Sequence, residues 1–220
     1  MALASGDDVL LEMNCTYEFR HVETLCILLK QGLRALKWTV NDIDVIACGL
    51  GPGSFTGLRV GLAAVKGLGI MGKKKVVGIS SLDIIAHNVC FDIDGDVVVD
   101  ARREKIYTAS YSIRGDRYTK KSNDCLLSYP EICTRIKRRR TQSPTALCGD
   151  GLRVYGDRFK KDLREKILFL PKDMWYPRGA HIIECAKGEI ACGRYLSLPE
   201  VLPRYFFLSE AEETRKRKKK

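Results

Sequence analysis

GLGPGSFTGLRVGLAAVKGLGIMG, Gly49 to Gly72, is the stretch whose reading decides the fold. It continues a nearly unbroken apolar run, Ile43 to Leu50, of the kind expected for a strand covered on both faces. Gly51, Gly53 and Gly57 flank Pro52, Ser54 and Thr56 where a helix from about Thr56 to Met71 begins. Glycine permits positive φ, and a helix N-terminus offers free N–H groups to an anion, so a nucleotide loop is one reading. A Walker A loop needs a lysine after its last glycine, and Leu58 stands there. A dinucleotide fingerprint wants an acidic residue about twenty positions on, and the next strand, Val76 to Ile79, has none. A tight strand-to-helix turn closed by a Ser or Thr cap fits better.

The helix itself is unusual. Between Thr56 and Met71 only Arg59 and Lys66 are charged, while Leu58, Val60, Leu62, Val65, Leu68 and Ile70 surround the axis. A helix that is apolar all round is buried all round, and in a chain of this size one side of that burial suits a partner subunit. Gly57, Gly61 and Ala64 line one face; Ala63, Gly67 and Leu62 lie on a neighbouring stripe. Arg59, Ala63 and Lys66 recur at i, i+4 and i+7. Charged side chains do not belong between a helix and a sheet, so that face is assigned outward and Ala63 to the seam.

Outward from this core the first half alternates strands and helices. A strand is expected at Val9 to Met13 and a helix from Arg20 to Trp38, with Ile27 and Leu28 widening its apolar surface. Ser80 with Asp83 resembles a capping box opening a short helix to about Val89. The texture changes near Asp92 to Gly95, which sets a boundary between a first lobe, 1–94, and a smaller α/β lobe, 95–210, ahead of a basic tail, 211–220. In the second lobe Val97 to Val99 pairs with Ile106 to Ile113 as a hairpin, and Ser128 with Glu131 and Pro130 opens a helix. A strand near Ala146, a helix from Leu152, a strand at Ile167 to Leu170 and a helix from Gly179 to Tyr195 follow. LPRYFFL ends the lobe as a strand or arm.

The 220 residues are 45% hydrophobic and 30% charged, the composition of a folded domain or two. No stretch approaches the ~20 apolar residues of a membrane span, and MALASGDDV lacks a signal peptide's layout. Nine cysteines form no CxxC pair and read as reduced thiols of a cytoplasmic protein. The net charge is +11, and six of those charges are the run Arg215 to Lys220, which could reach RNA phosphates. A second cluster, Arg135, Lys137, Arg138, Arg139 and Arg140, ends a helix, where it suits the negative end of the dipole.

GPGSFTGLRVG with VVGISSL, HVETL, DARREKIY at 100–107 and PRYFFLSEAE at 203–212 resembles the bacterial TsaB (YeaZ) family over nearly the whole chain. The resemblance implies an α/β, actin-like ATPase fold of two RNase H-like lobes. It implies a non-catalytic dimerisation subunit of the tRNA threonylcarbamoyladenosine machinery, partnered by a TsaD-like paralog and a TsaE-like ATPase, with a homodimer as an alternative resting state. The first two helices would form the pair, which places His21, Leu25, Leu28, Arg59, Leu62, Ala63 and Lys66 at the interface. Gly51, Gly53, Ser54, Thr56 and Gly57 would form a structural turn.

No cofactor or metal is expected of this chain. The catalytic paralog presents His at i and i+4 for a metal, whereas here His21 is followed by Leu25. The hairpin from Asp100 to Lys105 has no glycine to close on phosphate, and Arg102, Arg103 and Lys105 would neutralise Asp100 and Glu104. His87 and His181 read as packing histidines. Family members open with a strand ending in Asp-Thr-Ser that this chain does not show, so an upstream extension of roughly a dozen residues is expected. Ile27 stands for a common Pro, and Phe206 with Phe207 for a Leu-Arg pair. An independent enzyme of the actin-like superfamily, kinase or peptidase, is the runner-up; a basic RNA-binding module rests on charge alone.

Overall fold

The computed structural model describes residues 1–14, 21–139 and 143–204 and, of residues 21–23, the backbone alone. The chain opens with a hairpin, β1 (Ala2–Ser5) and β2 (Asp8–Glu12), turned at Gly6, whose φ is +57°. Helix α1 (His21–Ala35) leads to β3 (Val45–Gly49), α2 (Phe55–Gly72) and β4 (Lys75–Ile79). β3 and β4 pair in parallel, Val45 with Lys75 through Gly49 with Ile79, the pairing that a helical crossover between two strands permits.

Alternation along these strands sends neighbours to opposite faces. Val76 and Cys48 face α2, joining Leu50, Leu62, Val65 and Val201; Val77, Ile79 and Ala47 face the other side with Ile84 and Ala186. That two-sided cover is why the sequence reads as an apolar run. A short helix, α3 (Ser81–Ala86), bridges to the second lobe, its Leu82 and Ile85 buried there. Its cap departs from expectation. Ser80 Oγ accepts from Leu82 N–H at 3.2 Å, but the Asp83 carboxylate does not turn back; it accepts from the Tyr111 hydroxyl and Lys120 Nζ, both at 2.7 Å.

In the second lobe β5 (Ile93–Asp100) pairs antiparallel with β6 (Lys105–Arg114), in the register Val97–Ala109 to Val99–Tyr107. β7 (Arg117–Lys120) and β8 (Cys125–Ser128) both pair with β6. The helix α4 (Tyr129–Lys137) starts on the expected capping box, with Ser128 N–H and Oγ both 2.6 Å from Glu131 Oε2. β9 (Thr145–Cys148), α5 (Leu152–Leu163) and β10 (Ile167–Phe169) complete a six-stranded mixed sheet, five strands in the order β10-β9-β5-β6-β7 and β8 paired to β6 off that path.

The chain then returns. α6 (Gly179–Ala191) packs across β1, β2, β3 and β4, Leu196 bridges to Val76, and Val201 is buried under α2. Residues 179–204 therefore sit on the first lobe, against the expectation of an unbroken second lobe from 95 to 210. The first lobe's strands form two separate pairs, β1–β2 and β3–β4, and among the described residues no ladder joins them, although α6 crosses both. Phe206, Phe207, Arg140 and the basic tail Arg215–Lys220 lie outside the described residues.

Candidate partner-docking face

The turn that carries α2 is held by its own backbone. Leu50 N–H donates to Ile79 O at 2.8 Å, Ser81 N–H to Gly51 O at 2.9 Å, and Arg204 N–H to Leu50 O at 2.8 Å. Gly51 sits at φ +103°, a conformation that favours glycine, and a Cβ there would meet Leu58 Cδ1 at 3.0 Å, so the leucine would have to give way. Gly53 follows half-buried, and Ser54 caps the helix by accepting from Gly57 N–H at 3.3 Å. Thr56 is exposed in the first turn. The cap is the serine, and the turn is a strand-to-helix turn, as its residues suggest.

α2 lies on β3–β4 through Leu62, Val65 and Gly69; a Cβ on Gly69 would come within 2.6 Å of Leu198. Leu62 is only 4% exposed. It belongs to this chain's own core, which corrects its assignment to the interface: one residue earlier than Ala63 on a helix is about 100° away, enough to cross from seam to sheet. Ala63 and Arg59 are exposed and Lys66 half-buried, so the outward face is the expected one. Gly61 and Gly67 have open space where a side chain would stand. Along α1, Leu25 and Leu28 are half-buried and Ile27 is 55% exposed; His21 opens the helix, and its side chain lies outside the description.

Three large exposed side chains on α2 were not singled out by sequence. The Arg59 guanidinium stacks 3.8 Å over the Phe55 ring, and Ile70 and Met71 are 69% and 75% exposed at the other end. The i, i+4 spacing of Phe55 and Arg59 was the available signal. This face therefore carries an aromatic–arginine pair, small residues and exposed aliphatic ends.

Asp100 accepts from Arg102 N–H at 2.9 Å and the Tyr155 hydroxyl at 3.3 Å, while Glu104 takes both bonds from Arg158, 2.8 and 2.7 Å. Arg158 Nη1 on α5 thus donates to both carboxylate oxygens of Glu104. Burial raises Asp150, against a hydrogen bond from Asp100 N–H that lowers it. The fold also makes a pair the sequence hid: Cys185 Sγ lies 3.3 Å from His87 Nδ1. That nitrogen is 2.8 Å from Asp83 O, and a carbonyl only accepts, so Nδ1 already carries its proton and cannot take the thiol's. Burial pushes the Cys185 thiol up to about 12. His87 stacks on Tyr118 at 3.9 Å, and His181 meets Asn88 Oδ1 at 2.8 Å, both packing roles. Among the described residues no group of three His, Cys, Asp or Glu side chains could hold a metal.

Residues 17–199 match the family described as "TsaD: tRNA N6-adenosine threonylcarbamoyltransferase". The chain belongs to this family. Within it, the chain is 28% identical over 193 residues, 85% of its length and 86% of the relative's, to the tRNA threonylcarbamoyladenosine biosynthesis protein TsaB of Buchnera aphidicola subsp. Schizaphis graminum. It is 30% identical to Escherichia coli TsaB over 94 residues, 41% of each chain. YeaZ from Pseudomonas aeruginosa superposes with a TM-score of 0.71 at 21% identity, covering 84% of this chain and 85% of that one. A second Pseudomonas aeruginosa structure, described as similar to peptidase YeaZ, superposes equally well at 20% identity. The fold is the actin-like, RNase H-like one, and the TsaB resemblance read from the glycine segment holds. No helix among the described residues is long and apolar enough to cross a membrane.

Proposed function

We propose that this chain is the accessory, non-catalytic subunit of tRNA threonylcarbamoyladenosine formation, a cytoplasmic scaffold that docks a TsaD-like paralog through the outer face of α1 and α2. The observation that carries this reading is α2 itself. Eighteen residues long, about 27 Å at 1.5 Å per residue, it covers the sheet with one face and leaves Ala63, Gly67, Ile70 and Met71 to solvent. A facing helix pair could complete an interface of standard size, about 1,600 Å². The names of the TsaB relatives support the pathway. A TsaE-like ATPase would join the pair, and the same face would serve a homodimer when no paralog is present.

The non-catalytic part of the reading is supported by three local arrangements: Leu25 after His21, the committed carboxylates of Asp100 and Glu104, and the protonated Cys185. The test mixes the purified chain with its TsaD-like paralog. Light scattering should show a heterodimer, and modification of a tRNA transcript should rise when the chain is added. ATP hydrolysis or peptide cleavage by the chain alone, lost in Asp100→Asn, would overturn the proposal in favour of an independent enzyme.

A further inference from the structure

The basic run at the end of α4 divides in two. Arg135 and Arg139 turn inward to the buried Asp96, at 3.5 and 2.6 Å, whereas Lys137 and Arg138 turn out to solvent. Beside them the end of α5 and the turn after it expose Lys160, Lys161, Arg164 and Lys166. Lys166 Nζ donates to Lys137 O at 3.3 Å, which joins the two helix ends, and at the start of α4 the Tyr129 hydroxyl donates to Asp162 of α5 at 2.9 Å. Among the described residues none of these six cations has a carboxylate within ion-pair distance. Residues 160–166 hold two carboxylates, Asp162 and Glu165, against the four cations Lys160, Lys161, Arg164 and Lys166.

This edge is the focus of a wider imbalance. Residues 95–178 hold 20 basic against 11 acidic side chains, a net of +9, whereas residues 1–94 hold 9 against 10. Helix dipoles favour a cation or two in each last turn, but Arg164 and Lys166 lie beyond the end of α5. Six flexible cations spread over two helix ends do not converge on one small anion. They match a polymer with evenly spaced phosphates.

We infer that the edge formed by the C-terminal ends of α4 and α5 binds the phosphate backbone of RNA, specifically of the tRNA to be modified. The choice of tRNA rests on the function proposed above; the basic edge does not. The test uses the full chain and a fluorescent, unmodified tRNA transcript, with anisotropy read between 50 and 200 mM salt. In K137A/R138A/R164A/K166A the affinity should fall at least about tenfold, and the slope of log K against log salt should become about three units shallower. The unfolding midpoint should fall only slightly, because all four side chains are exposed and what is lost is the exposed hydrogen bond from Lys166 to Lys137 O. Replacing Arg215–Lys220 with serines should cost less than the quadruple change.

An unchanged affinity in the quadruple variant, no tRNA binding by the parent chain, or binding lost wholly with the tail would each overturn the inference. So would loss of binding to anionic phosphatidylglycerol vesicles with tRNA affinity intact, which would mark a membrane surface instead. The assay needs no paralog, so its failure is distinguishable from failure of the docking proposal, which shows as absent co-elution.

Discussion

Ala63→Glu separates this chain's stability from its association. In the isolated subunit Ala63 faces solvent, one turn from Arg59 and Lys66, so a glutamate there is hydrated. Replacing alanine costs a few tenths of a kcal/mol of helix propensity, and the new carboxylate, three residues ahead of Lys66, returns about 0.2–0.5 kcal/mol by pairing with it. The monomer should therefore melt almost unchanged. At a seam the same carboxylate meets a close-packed apolar surface, where an uncompensated buried charge costs about 3–5 kcal/mol. Arg59 and Lys66 would soften this, so about 3 kcal/mol, roughly a hundredfold in affinity, is the expected loss.

The contrasting change is Leu62→Ala. Leu62 is buried against Val65, Val76 and Cys48, so its truncation should lower the stability of the chain by about 2–5 kcal/mol and act on association only through folding. Size-exclusion with light scattering on both variants, alone and with the TsaD-like paralog, reads the difference. If Ala63→Glu associates as the parent does in both settings, α2's outer face is not the seam and the reasoning from its exposure fails.

Asp96→Ala should destabilise the second lobe by about 3 kcal/mol in urea, since it strands two guanidiniums that are only about a fifth exposed; an unchanged midpoint would deny the ion pair its structural role. Iodoacetamide at pH 7.5 should label Cys26, Cys90 and Cys192 while Cys185, held near 12, stays unlabelled with or without His87→Ala; preferential labelling of Cys185 that depends on His87 would restore a catalytic dyad. Burial pushes Glu12 up, but hydrogen bonds from Arg178 and Ala180 N–H outweigh it and hold the carboxyl below its ordinary 4.5. Its contribution is thus complete above about 4.5 and fades as pH falls through the lower folded value, so the stability gap between the parent and Glu12→Gln should close in acid; a gap independent of pH would contradict this.

What could be read in sequence was whatever local chemistry decides. The bounds of α2 and α4 follow from their caps, Ser54 and the Ser128–Glu131 box, because those bonds span three residues. The β3–β4 unit follows from its apolar runs. β7 and β8 were not legible, since Arg117–Lys120 and Cys125–Ser128 are short, half-polar edge strands whose pairing comes from β6 rather than from their own pattern. The opening strand β1 was not legible because four residues, Ala2–Ser5, carry too little pattern, and its pairing comes from β2. Burial of Asp96 between Arg135 and Arg139, and the approach of Cys185 to His87 across 98 residues, depend on strands brought together only by the tertiary fold. Leu62 was misplaced because an all-apolar helix hides which face meets the sheet. The charges at Arg59 and Lys66 orient it, but only to within one residue.

The two surfaces differ in the physics that would fill them, and salt should tell them apart. The α1–α2 face carries little charge, and its exposed side chains, Ile27, Ala63, Ile70 and Met71, gain by leaving water; that gain is hardly altered, or is strengthened, as salt rises. The α4–α5 edge offers six cations and binds by releasing counterions from phosphate, which weakens as a power of salt concentration. A chain that must hold a protein and a nucleic acid at once benefits from keeping these apart, because cations scattered through an apolar seam would carry a desolvation cost. Between 0.1 and 0.5 M salt, co-elution with the paralog should persist while tRNA retention by the same sample falls steeply. If both are lost together, the protein seam is electrostatic and Arg59 with Lys66, rather than Ala63 and Ile70, carries it. If neither is lost, the basic edge is not where the RNA sits.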